Sequence, residues 1–129
     1  MAFEITVAPR PNSNGTMASV VKITGALDIS SAPQADEVLT PLVASAPKVT
    51  VFDLAQLRFL DSTGIGLLLR TRGGLERNGG TVFITNMQPQ IRKIFDIVKV
   101  LPASTVFQNM AEFDEYLKAI QEKVEDEGG

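Results

Sequence analysis

The chain has 129 residues and a mass of 13.9 kDa, enough for one domain that buries roughly two thirds of the surface its unfolded form exposes. Hydrophobic residues make up 44% and charged residues 21%, ordinary globular usage that excludes wholesale disorder. The formal net charge is −3 and there is no cysteine or histidine, which removes disulfides, thiolate metal sites, cysteine nucleophiles and the commonest general base.

At the N-terminus, Met1–Val7 shows no basic region followed by a long apolar run, and the longest apolar stretch, Ile65–Leu69, is far too short to span a bilayer. The expectation is a cytoplasmic protein with no direct membrane insertion. Phe3–Val7 alternates apolar and polar residues, Val20–Gly25 does so less strictly, and Pro11–Gly15 between them reads as a turn, which predicts an antiparallel hairpin. Ser31 and Gln34 have capping-box spacing, and Pro33 falls in the first turn, so a helix starts there with Ala35, Val38, Leu39 and Leu42 inward. Pro41 predicts a kink or an end near Thr40.

Val49–Leu54 suits a central strand and leads through a polar turn into a helix whose apolar residues are Ile65, Leu68, Leu69 and Leu75, ending at Asn78-Gly79-Gly80. Gly73 and Gly74 inside that helix each cost about 0.5 to 1 kcal/mol relative to Ala, which points to close packing against a neighbour the sequence does not identify. Thr81–Thr85 reads as a strand and Gln90–Val98 as a helix with Ile91, Ile94, Phe95 and Val98 inward. Thr105–Phe107 reads as a short edge strand, Ala111–Lys123 as a last helix with Phe113, Leu117 and Ile120 inward, and Glu125–Gly129 as a frayed tail. Two strands followed by alternating helices and strands predict an α/β domain over residues 1–124, with a small mixed sheet and about four helices packed on it, and an acidic tail at 125–129.

Charge is unevenly spread. Arg70, Arg72, Arg77, Arg92, Lys93 and Lys99 face only Glu76 and Asp96 within their stretch, whereas from Glu112 onward seven acidic residues meet Lys118 and Lys123. Both runs read as solvated helix faces. A nucleic-acid role would want a net basic domain with stacking aromatics, and the seven Phe and one Tyr sit mainly at core-type positions.

The strand-to-helix junction is the most informative place in the chain. Ser62 lies where a helix N-terminus offers unpaired N–H groups and the positive end of its dipole, a setting that favours a phosphoserine. Gly64 and Gly66 leave little side-chain bulk around it, so a modifying enzyme could approach closely. Taken alone, Asp61-Ser62-Thr63-Gly64 is a turn with an N-cap supplied by Asp61, Ser62 or Thr63. Enzymatic readings of the same residues each lack a part. A dinucleotide-binding loop would need a third glycine where Leu69 stands. An aspartic protease would need an uninterrupted triplet, an all-β pattern and a second carboxylate. A serine nucleophile has no histidine base, and nothing marks a Ser-Lys pair. No catalytic residue and no metal ligand set is assigned.

From Phe3 to about Ile120 the chain resembles the STAS domain family, specifically the bacterial anti-sigma factor antagonists. The apolar strand, then Leu60-Asp61-Ser62-Thr63-Gly64-Ile65-Gly66 and an apolar helix match the family's Asp-Ser-Ser/Thr-Gly-Leu/Ile-Gly signature. Gly25-Ala26-Leu27-Asp28, Gly79-Gly80 before Thr81–Thr85, and Pro89–Phe95 add weaker support. Two places depart from the family pattern: Pro41 in the first helix, and Lys99-Val100-Leu101 where a Gly-Leu turn is common. The resemblance implies a small sheet with helices mainly on one face. It also implies that Ser62 is phosphorylated by an anti-sigma factor that is itself a serine kinase, that the unphosphorylated form binds this kinase and frees its sigma factor, and that a metal-dependent phosphatase reverses the modification. By the same resemblance Asp61 orients the hydroxyl or the loop, Thr63 and Gly64 shape the docking surface with Gly66, and Asp28 contacts the partner from the same edge. The kinase brings ATP and magnesium, so the chain itself needs no cofactor. The alternative within the family is a non-switching scaffold, such as a subunit of a lipid-transport ABC complex or a stressosome component, in which the motif serves only as a helix cap.

Overall fold

Alternation of apolar and polar residues near the N-terminus produces the expected hairpin: β1 (Glu4–Pro11) pairs antiparallel with β2 (Met17–Leu27), with Ile5 opposite Ile23 and Val7 opposite Val21. The computed structural model describes residues 2–11, 16–100 and 119. Residues 12–15 of the turn expected between the two strands, the edge strand at 105–107, the last helix at 111–123 apart from residue 119, and the tail lie outside the described residues. After β2 come α1 (Ala32–Ala44), β3 (Val49–Asp53), β4 (Leu57–Leu60), α2 (Ser62–Arg77), β5 (Thr81–Thr85) and α3 (Pro89–Val100).

Among the described residues the sheet has five strands in the order β1-β2-β3-β5, with β4 paired to β2, and their pairings are parallel except the first. β2 is the organising strand. Its first half, Ser19–Lys22, runs beside Thr50–Asp53, and its second half, Gly25–Leu27, beside Leu57–Leu60. β3 and β4 therefore act as one interrupted strand following β2. At the interruption the register shifts between Gly25 and Ala26, and Gly25, at φ 93°, donates its N–H to the Gln56 carbonyl at 2.9 Å. A side chain there would be strained by that φ and would also collide with the Ala2 backbone.

Inward positions carry the core. Val21, Ile23, Leu27, Phe52, Leu57 and Leu60 from the sheet meet Leu39 and Leu42 of α1, Ile65, Leu68 and Leu75 of α2, and Ile91 and Ile94 of α3. The opposite face leaves Thr6, Ala8, Lys22, Phe83 and Thr85 exposed, so the described helices cover one side of the sheet, as the family resemblance implied. Gly74 of α2 lies against α1: a Cβ there would stand 2.9 Å from Val43 Cγ1, which identifies the neighbour the sequence left open. Around Gly73 the same test meets only the Arg77 side chain of its own helix.

Three local expectations are corrected. Of the two outcomes expected of Pro41, the end near Thr40 does not occur, since α1 continues to Ala44. A proline in a helix interior costs about 3 kcal/mol, but burying Leu39 and Leu42 on either side of it contributes about 1.5 to 3 kcal/mol each. The capping box at Ser31 does not form; Ser31 makes no side-chain cap, because its hydroxyl is engaged behind the helix with Ala26 and Asp28. Finally, the "polar turn" before α2 contains β4, whose Leu57 and Leu60 are fully buried.

Candidate functional site

Register builds the site. Leu27 and Leu60 are partners in a parallel pair, so the chain leaves β2 and β4 in the same direction from adjacent points on the same edge of the sheet. The next residues are Asp28 and Asp61. Each opens a helix-initiating segment, and together they line the edge where α/β proteins commonly place ligands.

Asp61 is the N-cap of α2. Its Oδ1 accepts the Gly64 N–H at 2.9 Å, and its carbonyl accepts the first intrahelical bond, from Ile65 N at 3.0 Å. Of the three cap candidates in the sequence, the aspartate takes the role. The second carboxylate oxygen reaches across: Oδ2 accepts the Ile29 N–H at 3.0 Å, joining positions 32 residues apart. The Asp61 N–H in turn points at the Leu27 carbonyl, at 3.4 Å. One carboxylate thereby ties the start of α2 to the loop after β2.

Asp28 organises that loop from within. Its Oδ1 accepts from Ser30 N at 2.9 Å, Ser30 Oγ at 2.7 Å and Ser31 N at 3.1 Å, with Ser31 Oγ 3.3 Å away. A serine hydroxyl has one proton, and the shorter 2.7 Å contact to the Ala26 carbonyl claims it; the same hydroxyl accepts the Asp28 N–H at 3.0 Å. Burial pushes the Asp28 carboxyl up, but the hydrogen bonds from Ser30 and Ser31 together outweigh it and hold the group below its ordinary 3.8. Asp28 is ionised at neutral pH.

Ser62 is the first residue of α2 and half-buried, Thr63 is exposed, and Gly64 is buried. The two glycines of the motif differ. A Cβ on Gly64 would lie 2.1 Å from the Leu27 carbonyl oxygen, so that glycine is required inside the fold, where α2 crosses β2. Around Gly66 a Cβ would meet nothing within 4 Å. The open approach to Ser62 expected of both glycines therefore falls to Gly66, one turn along from Ser62. Asp28, Asp61, Ser62, Thr63 and Gly66 share one end of the sheet, with Gly64 beneath them.

Sequence reasoning missed two participants. Ser31 braces the loop through Ala26 and Asp28, and Ile29 projects from it with 73% of its surface exposed. The signal was present: Asp28-Ile29-Ser30-Ser31 is a side-chain-closed turn of Asx type, which lifts its second residue out of the strand's inward-outward alternation. Among the described residues no group of three or more His, Cys, Asp or Glu could hold a metal ion, and no helix is long and apolar enough to cross a membrane.

Comparison with known proteins gives this arrangement a context. The STAS domain family matches residues 8–113. The anti-sigma-B factor antagonist of Staphylococcus epidermidis is 34% identical over 77 residues, which span 60% of this chain and 71% of the relative. Among solved structures, the anti-sigma factor antagonist SpoIIAA in its unphosphorylated form superposes with a TM-score of 0.57 at 26% identity, covering 74% of this chain and 83% of that one. The phosphorylated form of the Bacillus cell fate determinant SpoIIAA superposes with the same TM-score at 25% identity, covering 74% and 82%. With the family's signature running from the end of β4 into the first turn of α2, and with relatives of this kind, the chain belongs to the STAS domain family and to its anti-sigma factor antagonists.

Proposed function

We propose that this protein is a phosphorylation-switched antagonist: with Ser62 unmodified it binds an anti-sigma factor that is a serine kinase, and the bound sigma factor is released. The observation that carries the reading is the division of labour at the start of α2. The cap is Asp61, and Ser62 follows it as the first residue of α2, at the positive end of the helix. A scaffold that kept the motif only as a cap would need the aspartate. The structurally similar SpoIIAA, solved in both phosphorylated and unphosphorylated forms, supports a phosphorylation switch on this fold.

In the proposed transfer, the Ser62 hydroxyl oxygen forms a bond to the γ-phosphorus of ATP as the bond to the departing ADP oxygen breaks, and the serine proton passes to a base on the kinase. The kinase supplies ATP and magnesium. A metal-dependent serine phosphatase restores the hydroxyl by hydrolysis: water attacks the phosphorus, the bond to the serine oxygen breaks, that oxygen takes up a proton, and inorganic phosphate leaves. The product carries about −1.5 to −2 added charges at the positive end of α2, which favours them by about 0.3 to 1 kcal/mol when exposed, while Asp61 next to them opposes. The fold is therefore left nearly untouched. Binding is lost across the interface, where burying a dianion without a compensating cation costs several kcal/mol.

The test is phosphopeptide mapping after incubation with the anti-sigma factor kinase, ATP and magnesium. Phosphate is expected on Ser62 alone, and Ser62→Ala is expected to bind the kinase while Ser62→Asp binds it weakly. Comparable phosphate uptake by Ser62→Ala, or equal affinity of the two variants, would overturn the reading.

A further inference from the structure

Ile29 has the greatest exposure of any large hydrophobic residue described, at 73%. Isolated apolar side chains on a surface are common and need no explanation. What sets this one apart is its place: Val7, Met17, Leu69 and Phe83 lie within strands or α2, whereas Ile29 stands on the loop beside the start of α2, and that loop is hydrogen-bonded throughout. The Ile29 N–H is held by Asp61 Oδ2 at 3.0 Å, the N–H of Asp28 before it by Ser31 Oγ at 3.0 Å, and the N–H groups of Ser30 and Ser31 after it by Asp28 Oδ1 at 2.9 and 3.1 Å. The Ala32 N–H closes the turn on the Asp28 carbonyl at 2.8 Å. The loop's ordering cost is thus met within the fold, and a partner that buries Ile29 need not supply it.

We infer that Ile29 is the apolar anchor of the surface around Ser62 and enters a pocket of aliphatic or aromatic side chains on the anti-sigma factor kinase. This inference rests on the function proposed above. Ser62 directly follows Asp61, whose carboxylate touches the Ile29 backbone, so the receiving pocket lies on the order of 10 Å from the transferred phosphate. At this edge both oxygens of Asp61 and Oδ1 of Asp28 accept hydrogen bonds from the protein's own groups. The aliphatic side chain is then the group whose transfer out of water drives association, with those carboxylate oxygens setting its position.

The experiment titrates wild type, Ile29→Val, Ile29→Ala and Ile29→Lys against the ADP-loaded kinase that phosphorylates the protein, and measures phosphorylation kinetics of each. Met17→Ala serves as control, since Met17 is 54% exposed and begins β2, whereas Ile29 lies just past its other end, about 30 Å away. Ile29→Ala is expected to weaken binding at least about tenfold and Ile29→Lys further, with Ile29→Val and Met17→Ala within about threefold of wild type. KM for the protein substrate should rise with kcat little changed, because the side chain does not touch the reacting atoms. Melting temperatures should agree within roughly 2 °C, as for other surface substitutions. Ile29→Ala binding within about twofold of wild type would overturn the anchor while leaving the phosphorylation reading intact. A large drop in its melting temperature would overturn it too, since the side chain would then be part of the fold. A kinase that neither binds nor phosphorylates the wild type would remove both.

Discussion

Of the helices that begin at this edge of the sheet, the one after β2 and the one after β4 begin differently. The aspartate at the turn into α1 serves that turn alone: every bond made by the Asp28 carboxylate goes to a residue within three positions. The aspartate at the start of α2 does not, because Asp61 spends one oxygen on its own helix and the other on the first turn's Ile29. Local closure fixes a shape, whereas a shared carboxylate makes one segment's position depend on the other's. A change at Ser62 is therefore one residue from the group that couples the two.

The sharpest way to break this contrast is through the motif's glycines. Gly64→Ala places a methyl 2.1 Å from the Leu27 carbonyl, a backbone atom that cannot rotate away. It is expected to cost about 3 kcal/mol or more, a drop of roughly 10 °C in Tm. Gly66→Ala, with nothing within 4 Å, is expected to stabilise by about 0.5 to 1 kcal/mol through helix propensity alone. Thermal melts of the pair read the difference directly, and similar Tm values would mean that α2 does not cross β2 as closely as described.

Next in size comes the shared carboxylate itself. Asp61→Ala loses both the cap and the bridge and is expected to cost about 1 to 2 kcal/mol. Asp61→Asn can keep an oxygen on Gly64 but then turns an amide toward the Ile29 N–H, so it should retain much of the helix while loosening the loop. Hydrogen exchange at Ile29 distinguishes the two roles: faster exchange is expected in both variants, and faster exchange at Gly64 only in the alanine. Equal protection of Ile29 in wild type and Asp61→Asn would show that the two segments are not coupled.

The smallest effect belongs to Asp28. Its carboxyl is held below its unfolded value, so the protein gains stability from it above about pH 4, and loses that gain as pH falls through the lowered value. Asp28→Asn should therefore differ from wild type in its urea midpoint near neutral pH, and the difference should shrink on acidification below pH 4. A difference that grew in acid would contradict the hydrogen bonding described for this turn.

Most of the elements could be read from residue periodicity because their cores are local patterns: the alternation in β1 and β2, the helical spacing of Ile65, Leu68 and Leu75, and the apolar runs of β3 and β5. β4 could not. Its Leu57–Leu60 is four residues long, follows a two-residue turn and includes an exposed Arg58, so only its pairing with β2, some thirty residues earlier, makes it a strand. The site was legible as a motif but not as an arrangement. The sequence marks Asp61 and Ser62 as a helix start, yet which side chain caps depends on the geometry of the turn, and Ser31 fails as a cap because Ala26 and Asp28 occupy its hydroxyl. Gly64 and Gly66 look alike in the sequence and differ only by what lies opposite them in space.

The pairing of Leu27 with Leu60 also sets which parts of this chain can change in length over evolutionary time. One residue added or lost between β3 and β4 would reverse the faces of Leu57–Leu60 or carry Ser62 about 100° around the axis of α2, and either outcome moves the serine off its edge. The connection from α1 to β3, residues 45–48, meets no such constraint, since it lies at the other end of β3. Among relatives that retain the Asp-Ser-Thr-Gly motif, insertions and deletions should gather in that connection and spare Leu54–Leu60, so that spacing, as much as residue identity, records where the serine is held at its edge.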